Sequence, residues 1–399
     1  MPPAHAVTLP AAPVRADATP SSRRQWEIDA MRGLMIVLMT ITHVPTRLTD
    51  PVGQPFGFVS AAEGFVLMSA YVCGLVYTRI WYDHGIEAMR KAFWQRALKI
   101  YLAQGALLLF LFTVITALSL RIHQPAAHEL LKYYLAHPHD GLLYSLLLVY
   151  QPALLDILPM YILFMLLSPW VMSVGLRHGW GPVLAVSATG WAAAQFGVTP
   201  WAYEHLVALT GLPVPFEETG SFDTLAWQFL WFVGLWLGAG RTAPDARPLV
   251  FPRWLVAVAT VVALGVFVWR HLGAGGQAPF GDDMALNLLF DKWRIGPLRM
   301  VDLAALGIVA ITFGPKLLEG LPRPRWLEAL GAASLSVFCG HLVAVLLVFA
   351  IFGNSYTVRP WWGDAILLAV VFGGLYGVAR SVAHWEARQK KRVPRASAR

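Results

Sequence analysis

The chain has 399 residues, 57% of them hydrophobic and only 14% charged, with a mean hydropathy of +0.55. About a quarter of a soluble domain is charged, so a soluble enzyme is excluded. The net charge of +8 points to the Lys/Arg excess of cytoplasmic membrane loops and away from a nucleic-acid partner. Apolar runs recur along the whole length, and 17 Trp and 12 Tyr suit the two faces of a bilayer. The fold class expected is all-α, a polytopic integral membrane protein with about ten transmembrane helices.

In chain order, residues 1–25 are expected to form a disordered cytoplasmic tail, since they hold Pro, Ala, Ser and Arg but no apolar core of a signal peptide. The transmembrane domain is expected over 26–384 and a basic cytoplasmic tail over 385–399. Spans are expected near 31–49, 57–79, 99–120, 154–176, 180–197, 224–240, 254–271, 297–315, 332–352 and 361–380. "GLLYSLLLVY" (141–150) is too short to cross and reads as an interfacial or re-entrant helix. With ten spans and both termini cytoplasmic, most of the 31 Lys and Arg fall on the cytoplasmic side; an eleventh span would reverse the later loops. Loops 121–153, 198–223 and 272–296 then face outward, with acidic, aromatic, Pro and Gly residues able to cover a site.

The first span carries Asp29, Arg32 and His43. An ionisable group in a span costs a few kcal/mol and marks a functional hypothesis. Arg32 and His43 are eleven residues apart, close to three full turns, so they share one helix face about 16 Å apart along the axis. Asp29 can pair with Arg32. Taken singly, Arg32 also reads as an interfacial anchor and His43 as an interhelical hydrogen-bonding residue.

In the second span Glu63 sits among Ser60, Ala61, Ala62 and Gly64, small residues that allow close helix approach. A carboxylate near the outer end of this hairpin is placed to orient His43, or else faces an outer vestibule. Ahead of the third span, "MRKAFWQRALKIY" sets Arg96 and Lys99 on one face, as a solvated cytoplasmic surface or a dock for a phosphate-bearing anion. Further along come Asp156 and Tyr161, then Asp302, then His341, which together suggest a polar cavity in the outer half of the bundle. Cys73 and Cys339 have no disulfide or zinc spacing, and no metal site is expected.

"RQWEIDAMRGLMIVLMTITHVP", "PFGFVSAAEGFVLMSAYVCGLVY" and "LLDILPMYILFMLLSPWVM" resemble the OpgC family over nearly the whole chain. That resemblance implies a bacterial inner-membrane acyltransferase that succinylates osmoregulated periplasmic glucans, related to the acyltransferase-three superfamily. Its first span has an Arg, ten residues, then a His, which Arg32 and His43 match, and its basic residues before the third span are met by Arg96 and Lys99. The resemblance thus implies His43 as the catalytic residue. It also implies an acyl-CoA donor (succinyl-CoA), a glucan acceptor and no metal. On this reading Arg32, Arg96 and Lys99 hold the donor, Glu63 or Asp156 orients His43, and Asp29, Tyr161, Asp302 and His341 support. Ala70 stands where much of the family has Gly, read as a packing change. Other readings are an acyltransferase for another surface or lipid-linked sugar, and a transporter or flippase with an intramembrane proton relay. The oligomeric state has no signal in the sequence.

Overall fold

A computed structural model of the chain describes residues 26–242, 249–273, 278–357 and 359–392. The expected tail 1–25 and the end of the C-terminal tail lie outside these. Among the described residues the chain is helical, with no strand. That follows from lipid as solvent: a helix satisfies each backbone N–H and C=O within its own segment.

The main helices are α1 (Trp26–His43), α2 (Ala61–Phe110), α3 (Ile157–His178), α4 (Trp180–Gln195), α5 (Val198–Thr210), α6 (Thr224–Thr242), α7 (Arg253–Leu272), α8 (Pro297–Glu319), α9 (Arg325–Ala332), α10 (Ser334–Phe352) and α11 (Trp361–Arg392). Each of the ten expected spans overlaps a helix, the first only as far as His43, where α1 ends. Among the described residues, six helices are long and apolar enough to cross a membrane: the run Ala61–Ile122, then α3, α7, α8, α10 and α11. The run from Ala61 is one continuous path broken at Gly85, whose φ of +82° an L side chain rarely adopts. It therefore contains both the second and the third expected spans. The stretch 141–150 is a short helix, Pro138–Leu146. The last helix runs on to Arg392, into the segment expected as a tail.

Small residues set the close contacts. A Cβ on Gly331 would lie 1.7 Å from the Asp29 carbonyl oxygen, and one on Gly33 would lie 2.0 Å from that of Leu327. So α9 lies backbone to backbone on α1. A Cβ on Gly238 would lie 2.1 Å from the Tyr71 carbonyl oxygen, which brings α6 equally close to α2. Ala70 meets Gly234 in that seam, so the extra methyl on α2 is received by a glycine on α6. Trp231 fills the α3–α6 contact, fully buried, and its indole N–H donates to Ser168 Oγ at 2.9 Å.

The loops 44–60, 148–156, 211–223 and 288–296 gather at one end of the bundle. Phe58 packs on Phe290 with ring centroids 4.2 Å apart, the Gln151 N–H donates to the Glu218 carbonyl, and the Asp223 N–H donates to that of Trp293. His43 ends α1 at this same end.

Candidate active site

The α1 helix runs unbroken from Arg32 to His43, so the two stay on one face as the sequence spacing predicts. His43 is partly exposed. Its Nδ1 lies 3.0 Å from Nε2 of His341, on α10, and the rings stack with centroids 5.2 Å apart. His341 is fully buried, and its own Nδ1 lies 3.3 Å from the Phe338 carbonyl oxygen. A carbonyl can only accept, which settles the protons along the chain. His341 Nδ1–H donates to Phe338, so His341 Nε2 is the acceptor. His43 Nδ1–H donates to it, and His43 Nε2 keeps its lone pair. This is the tautomer a general base needs.

The carboxylates expected to orient His43 are engaged elsewhere. Glu63 is fully buried. One oxygen accepts from the Arg299 guanidinium; the other accepts from Ser60 N–H at 3.1 Å and from its hydroxyl. Ser60 and Glu63 thus form a capping box that starts α2. Asp156 is buried, with Oδ2 accepting from Ser221 N–H at 3.0 Å, where it ties the loop 211–223 to the start of α3. The partner that holds His43 is an imidazole, because a burial this deep favours a neutral acceptor over an unpaired carboxylate. Asp302, also fully buried, accepts from Phe58 N–H at 3.0 Å and fixes the loop that follows α1.

Two residues were missed in the sequence. Arg299, 1% exposed, is the counter-ion of Glu63 and also donates to the Phe290 carbonyl at 3.2 Å. The signal was available: a buried Glu in a span demands a cation, and Arg299 lies in the eighth span. Lys292, in the loop 288–296, is the second. Burial lowers its pKa, and the charges of Glu63 and Asp156 act against that lowering. Its ammonium stands 4.5 Å over the ring of Trp293.

At the other end of α1, Arg32 donates to Ser334 Oγ at 2.5 Å, and the negative charge of buried Asp29 attracts it. Arg32 and Arg96 both line a cavity of about 240 Å³ between α1, α2, α3 and α10. Tyr161, Cys73 and Tyr77 form its walls, and the Tyr161 hydroxyl donates to the Phe65 carbonyl at 3.3 Å. Phe65 and Phe338 close the end nearest His341. Lys99, expected beside Arg96, is exposed and does not line this cavity. Among the described residues no group of three or more His, Cys, Asp and Glu is placed to hold a metal.

The site is therefore a neutral imidazole pair at one end of a bundle, with Phe338 between it and a mainly apolar cavity that two guanidinium groups line. A family model described as "OpgC protein" matches residues 24–387. No curated protein matches, and no solved structure does.

Proposed function

The chain belongs to the OpgC family, and from that premise we propose that it transfers an acyl group, succinyl, from cytoplasmic acyl-CoA to hydroxyls of a periplasmic glucan. The observation that carries the reading is the His43–His341 pair set three helical turns from Arg32 on one face of α1. Membership implies a glucan-modifying acyltransferase, and the apolar helices a multi-pass membrane protein. The ten-span arrangement, with both termini cytoplasmic in the bacterial inner membrane, goes with this proposal.

Arg96 and Arg32 bind the phosphates of the donor, as guanidinium groups do for paired oxyanions. The pantetheine arm lies in the apolar cavity and delivers the thioester toward His43. A glucan hydroxyl loses its proton to His43 Nε2 as its oxygen attacks the thioester carbon. The C–O bond forms, the C–S bond breaks, and the proton passes to the departing CoA thiolate. His341 acts through His43: its Nε2 accepts the Nδ1–H and holds the ring as the imidazolium forms. Glu63, Arg299, Asp302 and Asp156 fix the loops around the two rings. An acyl-His43 intermediate uses the same lone pair and balances equally.

Purified protein is given succinyl-CoA and glucan, and free thiol and glucan charge are followed together. Glucan-dependent thiol release should make the glucan more anionic, and His43→Ala should lose at least about 100-fold of that rate. Turnover in His43→Ala within tenfold of the parent would remove His43 as base. No thiol release from any acyl-CoA would sink the acyltransferase reading in favour of a transporter.

A further inference from the structure

A second cavity lies among the gathered loops, about 660 Å³ in volume, within the range of small-molecule sites. Tyr203, Phe216 and Trp293 give it aromatic faces, and Asp223, Asp291 and Arg294 give it polar ones. We propose that this cleft binds neutral glucose units of the acceptor beside the one being acylated. The inference rests on the acyltransferase reading and names where its carbohydrate sits.

The chemistry of the lining favours a sugar. A pyranose has an apolar C–H face, which stacks on an aromatic ring, and a rim of hydroxyls that donate to carboxylates and accept from guanidinium. Two carboxylates against one guanidinium disfavour an anion such as a phosphate headgroup. Trp293 is 40% exposed yet rigidly held. Its carbonyl accepts from Asp223 N–H at 3.0 Å and from Trp227 Nε1–H at 2.9 Å, and Phe222 packs edge-on to its ring at 5.4 Å. A rigid, exposed indole is a low-entropy platform for a ligand. Asp223 accepts from Thr199, Leu225 and Ala226, all on Oδ1, which leaves Oδ2 for a hydroxyl.

The cleft lies at the end of the bundle where His43 ends α1 and the loops gather. Ser221, in its wall, donates to Asp156. Trp293 follows Lys292, whose charge reaches His43, Glu63 and Asp156. A chain of sugars lying in the cleft is therefore held at the end of the bundle that carries the imidazole pair.

The test is calorimetric binding of a linear glucose oligosaccharide to the full protein in lipid nanodiscs, without donor. Trp293→Ala should weaken binding about tenfold, the loss of one aromatic stack. Leu206→Trp fills the cleft from its rim, where Leu206 is 48% exposed, so folding is not at issue, and it should weaken binding as much. Leu209→Trp, outside the cleft and 85% exposed, should bind as the parent does. If both cleft variants bind normally, the cleft is not the sugar site, while thiol release by the parent would leave the acyltransferase reading intact. If glycerol phosphate competes with the oligosaccharide at equal concentration, the cleft is an anion site and the proposal falls.

Discussion

Truncating His341 to Ala tests the relay most directly. His341 is fully buried and bonds His43 Nδ1 at 3.0 Å; it lines neither cavity. In the ground state its bond to a neutral imidazole contributes about 0.5–1.5 kcal/mol. In the transition state His43 gains positive charge, and a bond to a charged group contributes about 1.5–3 kcal/mol. Only the difference between the two bonds, about 1–1.5 kcal/mol, lowers kcat, which is a roughly 5- to 13-fold fall at about 1.36 kcal/mol per tenfold. KM for donor and glucan should move little, because the residue touches neither. His341→Gln keeps an acceptor for Nδ1–H and should recover most of the loss. The assay is steady-state thiol release across both substrates. An Ala variant that is folded and within twofold of the parent in kcat, or one that loses only KM, would refute the relay. So would a Gln variant no better than Ala.

Three further predictions concern the frame around the rings. Glu63 and Arg299 are 0% and 1% exposed, so Arg299→Met strands a buried carboxylate and should cost about 3–5 kcal/mol; adding Glu63→Gln should restore most of it, as read from the SDS-unfolding midpoint. An unchanged midpoint in the single variant would sink the pairing argument. Gly331→Ala puts a methyl 1.7 Å from the Asp29 carbonyl oxygen, which pushes α9 and Ser334 off Arg32. Donor KM should rise severalfold with kcat little changed, measured by thiol release; an unaltered KM would show that Ser334 does not position Arg32. Burial depresses the folded-state pKa of Lys292, so between that value and about 10.4 the unfolded chain binds more protons. Stability then rises as pH rises through this window, and Lys292→Met should flatten the rise in melting temperature between pH 8 and 10.5. A slope identical to that of the parent would remove Lys292 as its source.

Helix positions were legible because hydropathy is local: a run such as "ILPMYILFMLL" announces a span wherever its neighbours fold. Arg32 and His43 shared a face for the same reason, since eleven residues of one helix fix their geometry. The partners were not legible. His43 meets His341 across 298 residues and Glu63 meets Arg299 across 236, and no local pattern states which helices adjoin. A buried Glu63 calls for a cation, but within the first two helices the ionisable group toward the same end is His43, while Arg299 lies far along the chain. Lys99 shared a face with Arg96 in sequence, yet the wall of α2 that meets the cavity is narrower than that face. The cleft among the outer loops had only its composition as a signal, because three loops distant in sequence build it.

Phe65 and Phe338 stack with centroids 5.8 Å apart at the inner end of the donor cavity. The chemistry proposed for this chain joins two compartments, and the membrane between them carries an electrical potential. Two stacked aromatic rings present no polar group there, and a hydrated ion meeting them would have to shed water, a cost of several kcal/mol. On the acyl transfer proposed for this chain, the nucleotide of the donor would stay on one side of this pair and only the acyl group would pass it. Group transfer across the bilayer would then be separate from ionic leakage, and a glucan could be modified without running down the membrane gradient.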